Sequence, residues 1–164
     1  MQKITQLEKD RRAGLLPPDT ISYEQIHCAL FERLSCVLDI EQLEPDPDGL
    51  YVIDRHNRLG FELTDREILV FHPAENGEHK HFFGMNYQTV KEWTADAASY
   101  IAHFVQKTVR YEYHYYEKAL TKTVIRSIDG DCETVVDSLL NTCNPLRVKS
   151  STAIVAKQIT YAQQ

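Results

Sequence analysis

Three histidines open the reading of this chain: His72, His79 and His81, close together in a stretch that also carries Glu75, Glu78 and Lys80. If Asn76-Gly77 forms a two-residue hairpin, His72 falls opposite His81, and His79 lies two residues further along the same face. Cross-strand neighbours have Cβ atoms about 5 Å apart, close enough for imidazoles to share an ion. Three histidines with an open fourth position is the pattern of a catalytic zinc or another divalent metal, which would activate water for hydrolysis. A small metal-dependent hydrolase is therefore one expectation. Against it, no HExxH motif accompanies the histidines, and Pro73 beside the turn disturbs the register on which they depend.

A second candidate is the tyrosine-rich stretch 107–126. Tyr111, Tyr113, Tyr115 and Tyr116 are interleaved there with Lys107, Arg110, Lys118, Lys122 and Arg126. Such a mixture could stack single-stranded bases and neutralise phosphates. It could equally form a protein interface, because tyrosine offers large contact area at low entropic cost. The acidic balance of the chain, 18 Lys plus Arg against 24 Asp plus Glu, favours the protein interface and disfavours nucleic acid. The balance is uneven: residues 1–100 hold 10 basic and 18 acidic side chains, and 101–164 hold 8 and 6. Any basic surface must come from the C-terminal part.

Other arrangements carry less chemistry. Asp96, Ser99 and His103 share a face of one expected helix, but a mid-helix serine lacks the strained turn and free amides of a nucleophile. Cys28, Cys36, Cys132 and Cys143 show no CxxC spacing and read as reduced thiols of a cytoplasmic protein. No nucleotide-binding glycine motif occurs, and no apolar run approaches a membrane span.

The elements that must position these groups follow from periodicity. Residues 1–19 read as a charged arm ending in Pro17-Pro18, followed by a single α+β domain over 20–164. Ser22 and Gln25 form a capping box for a helix whose apolar stripe is Tyr23, Ile26, Leu30, Leu34 and Val37. After the turn-like EPDPDG at 44–49 the period becomes two. Strands are expected at Leu50–Arg55, Arg58–Thr64, Glu67–His72 and His79–Met85, a four-stranded antiparallel meander. Two-residue turns would give a core face of Leu50, Val52, Leu59, Phe61, Leu63, Ile68, Val70 and Phe83. The reverse, mixed face would carry Tyr51, Ile53, Gly60, Glu62, Leu69, Phe71, Lys80 and Phe82.

Thr89–Lys107 reads as a second helix packed on this sheet. Thr108–Ile128 contains no Gly, Pro or Asn. It reads as a continuation of that helix to Leu120 and then a strand Thr123–Ile128, although Val109, Tyr111, Tyr113 and Tyr115 also alternate as in a strand. A turn at Asp129-Gly130-Asp131, a short helix over Glu133–Asn141 and a strand-like Leu146–Tyr161 complete the chain. A chain of this length can bury roughly 70% of its unfolded surface without disulfides or metals. The resulting expectation is a non-catalytic interaction module without a cofactor, binding another protein or itself. Its contact surface would be Tyr111, Tyr113, Tyr115 and Tyr116 together with Tyr51, Phe71 and Phe82 of the mixed face.

Overall fold

A computed structural model describes residues 22–72 and 79–161, with the side chains of 155–157 excepted. The expected arm and the Asn76-Gly77 turn lie outside the described residues. Helix α1 (Tyr23–Leu34) starts at the Ser22 capping box, in which the Ser22 hydroxyl accepts from the Gln25 amide and Gln25 reaches back to the Ser22 amide. Its stripe of Ile26, Leu30 and Leu34 is fully buried. Helix α2 (Val90–Gln106) is capped by Thr89, whose hydroxyl accepts from the Glu92 amide. The two helices pack against each other.

The fold is α+β, with two antiparallel four-stranded sheets. The first is the expected meander, β1 (Leu50–Asp54), β2 (Leu59–Leu63), β3 (Glu67–Phe71) and β4 (His79–Phe83), in sequential order. Its inner face contributes Tyr51, Ile53, Leu59, Phe61, Leu63, Ile68, Val70 and Phe82 to the core. This corrects the expected face at three places, with Tyr51, Ile53 and Phe82 inside where Leu50, Val52 and Phe83 were expected. One cause is a bulge in β1. Asp54 pairs with Leu59 as two-residue turn logic requires, but Val52 pairs with Gly60. The extra residue reverses the alternation of everything before it. The other cause is the β3–β4 register, which pairs Phe71 with His79 and Ile68 with Phe82 and leaves residues 72–78 between the paired positions.

The second sheet, ordered β7-β6-β5-β8, corrects the expected long helix. Thr108–Tyr116 is strand β5 and Ala119–Asp129 is strand β6, joined through Glu117-Lys118. Tyr116 pairs with Ala119, and Glu117 takes φ 57°. A tight turn with a left-handed first residue ordinarily recruits glycine, which is why a stretch without turn residues concealed it. At the next hairpin Gly130, with φ 61°, fills the corresponding position between Asp129 and Cys132, as expected from the sequence. All but the last residue of Glu133–Asn141, expected as a helix, belongs to strand β7 (Cys132–Leu140). The strand-like C-terminal segment divides into a one-turn helix α3 (Pro145–Lys149) and β8 (Thr152–Thr160).

One hydrophobic core joins both helices to both sheets. It runs from Ile26 and Leu30 of α1 through Phe61 and Ile68 to Trp93 and Phe104 of α2, and on to Tyr111, Ile125 and Ile159 of the second sheet. The Trp93 indole donates to the Phe82 carbonyl at 2.7 Å, fixing α2 on strand β4.

Candidate functional site: a half-apolar sheet face and a polar tie beneath it

The register decides where the histidines go. His72 follows the alternation of Ile68 and Val70 into the core, where it is 3% exposed. Its ring stacks against Phe104 and Tyr111, with centroids 5.4 and 6.0 Å away. His79 and His81 pair with Phe71 and Leu69 and share their outer face. The expected three-histidine constellation is thus not assembled: a register displaced by three residues, an odd number, turns His72 away from the other two. Among the described residues no three His, Cys, Asp or Glu side chains are placed to hold one ion.

The tyrosines are redistributed by the same logic. Tyr111 and Tyr113 are fully buried, and Tyr51 and Phe82 are core residues. None of these four can form the exposed contact surface expected of them. Strand alternation turns every second residue of β5 inward, Val109, Tyr111 and Tyr113 among them. Tyr115, Tyr116 and Phe71 remain half-buried.

Beneath the sheet face lies a polar tie that sequence reading missed. Tyr100 Oη lies 3.3 Å from His72 Nε2 and donates to Asp137 Oδ2 at 3.3 Å. Lys80 Nζ reaches the same carboxylate oxygen at 3.0 Å and lies 5.9 Å from the centre of the Tyr100 ring. Strands β3, β4 and β7 and helix α2 therefore meet at one point. Burial pushes the His72 pKa down to about 4; the Asp137 carboxylate opposes this, while His79 and Lys80 add to it. The imidazole is neutral near pH 7. Close by, Tyr111 and Tyr161 share a hydrogen bond between their hydroxyls, and burial raises both pKa values well above that of a free phenol. These groups face one another rather than solvent, which suits a tie between layers and not a substrate site. No spacing in the sequence signals that Asp137 meets Lys80, because the two are far apart in the chain.

The outer face of the first sheet is arranged in rows. Val52, Gly60, Phe71 and His79 form one row, and Leu50, Glu62, Leu69 and His81 the next; Glu67 and Phe83 follow. At the β4 edge His79 meets His81 edge-on with centroids 4.7 Å apart, and His81 stacks on Phe83 at 5.1 Å. His81 Nδ1 lies 3.4 Å from Glu67 Oε1. The inner side of this sheet is packed by helices α1 and α2, whereas Phe83 on the outer side is 39% exposed. The face is mixed, as expected, but with Leu50, Val52 and Phe83 in place of Tyr51, Ile53 and Phe82.

On the second sheet the outward cations of the tyrosine stretch are largely paired. Arg126 Nε donates to Glu112 Oε1 at 2.9 Å, and Arg110 binds both Glu112 and Glu133. Lys107 pairs with Asp129 at 3.2 Å. Among the described residues no helix is long and apolar enough to cross a membrane. The chain matches no family model, no curated protein and no solved structure. A reading of its function therefore rests on its own geometry.

Proposed function

We propose that this α+β protein is a non-catalytic protein-binding module whose docking face is the outer side of the β1–β4 sheet, with a second copy of the chain as its occupant. The observation that carries this is the contiguous, half-apolar field of half-buried Leu50, Val52, Leu69 and Phe71 with exposed Phe83, on the side of the sheet opposite helices α1 and α2. Apolar patches rimmed by polar groups mark interaction sites. A second copy is favoured because the same face carries carboxylates, Glu62 and Glu67, and imidazoles, His79 and His81. A patch holding both partners of a hydrogen-bonded pair is self-complementary, as a twofold interface requires. The free, exposed state of Cys28, Cys36, Cys132 and Cys143 supports a reducing, cytoplasmic setting.

Sedimentation velocity of the full chain tests the reading. The wild type should dimerise at about 100 µM or below, a modest affinity for a small patch. Phe83→Lys should shift it to monomer with an unchanged far-ultraviolet circular dichroism spectrum. A wild type that stays monomeric, or a dimer indifferent to Phe83→Lys, would overturn it.

A further inference from the structure

We propose that the β5–β6 turn end of the second sheet is a separate binding site for an acidic, apolar peptide segment of a protein partner. Two depressions adjoin there. One, of about 520 Å³, is lined by Tyr116, Glu117, Lys118, Ala119 and Arg147. The other, of about 290 Å³, is lined in part by Asn144, Leu146 and Ser150. They share Tyr116, Glu117 and Arg147, so they form one continuous trough running from the hairpin to helix α3.

The walls of this trough define the ligand. The Arg147 guanidinium carbon lies 5.9 Å from the centre of the Tyr116 ring, which holds the cation at the boundary between the two depressions. Lys118 is exposed at the hairpin, and Leu146 is 74% exposed beside Arg147. A guanidinium and an ammonium next to an exposed leucine and an aromatic ring complement a carboxylate followed by an apolar side chain. The charge asymmetry of the sequence points the same way: Lys118 and Arg147 belong to the C-terminal part, where basic side chains outnumber acidic ones by 8 to 6.

Single-stranded nucleic acid would use the same cations, but two features favour the peptide. Arg147 lies over the Tyr116 ring, so that face does not offer a base a stacking platform. Arg110 and Arg126, the further cations such a track would need, are engaged by Glu112 and Glu133.

The test is selection from a random dodecapeptide phage library on the immobilised full chain, with Arg147→Glu and Lys118→Glu as parallel targets. The wild type should enrich peptides in which Asp or Glu adjoins Leu or Phe. A synthetic peptide from that pool, read by fluorescence anisotropy, should bind about tenfold more weakly to Arg147→Glu, as expected for reversing a charge at a contact. It should bind Phe83→Lys normally, so failure here is distinguishable from failure of the sheet-face reading. Both charge-reversed side chains are exposed, and circular dichroism checks that the variants remain folded. Absence of acidic enrichment, enrichment that persists on Arg147→Glu, or saturable binding of a twelve-residue oligothymidylate that displaces the peptide would each overturn the proposal.

Discussion

Burial sets the charge state of His72, and that has a consequence for acid stability. The folded pKa of about 4 lies below the ordinary 6.5, so between these values the unfolded chain binds a proton that the folded chain refuses. Stability contributed by the neutral imidazole is complete above about pH 6.5 and is lost as pH falls toward 4, a span worth about 3 kcal/mol. The groups around the ring are Tyr100 of α2, Asp137 of β7, His79 and Lys80 of β4 and Tyr111 of β5. Replacing His72 by phenylalanine keeps the stack on Phe104 and removes the titration. Urea unfolding measured from pH 7 to pH 4.5 should then show a flatter loss of stability than the wild type. An unchanged pH slope would show that other groups govern the acid response.

At the scale of elements, two hairpins of the second sheet solve the same problem differently. The β6–β7 turn uses Gly130 at its left-handed position and the β5–β6 turn uses Glu117. A non-glycine residue there costs about 1 kcal/mol. Glu117→Gly should raise stability by about that amount, and Gly130→Val should lower it by more; chemical denaturation at pH 7 measures both. Gly84, between β4 and α2, is constrained by contact instead, since a Cβ there would lie 2.9 Å from the Trp93 ring. Gly84→Ala should cost about 2 kcal/mol, because the ring cannot move without losing its bond to the Phe82 carbonyl. A thermal midpoint unchanged by Gly84→Ala would show that the indole has room to shift.

Across the whole molecule, Asp137 adds a polar link between the two sheets to the shared core, binding Lys80 of the first sheet and Tyr100 of the intervening helix. Removing it takes the carboxylate from the Lys80 ammonium and leaves the buried Tyr100 hydroxyl with His72. Asp137→Ala should cost about 2 kcal/mol and leave a single unfolding transition seen equally by tryptophan fluorescence and far-ultraviolet circular dichroism. Two separated transitions would show that the sheets are independent units. The double variant with Lys80→Ala should cost less than the sum of the single changes, since each removes the other's partner.

Local pattern alone was enough for α1, α2 and the existence of four short strands, because a capping box, a 3.6-residue stripe and an alternating run each depend on residues within one turn or one strand. It was also enough for the inward positions Leu59, Phe61, Leu63, Ile68 and Val70, where alternation is uninterrupted. Sidedness beyond those strands was decided by tertiary structure. A bulge at Ile53 and a β3–β4 register set by packing reversed the faces of β1 and β4, separated His72 from His81 and drew Tyr51 inside. The second sheet depended on tertiary structure from the start: the strands of 108–140 compete with helical readings of the same residues, and the turn between β5 and β6 carries no residue type that announces it. Side-chain period fixes which residues share a face within a strand, but only pairing with neighbours and burial against the helices determines which face becomes the core.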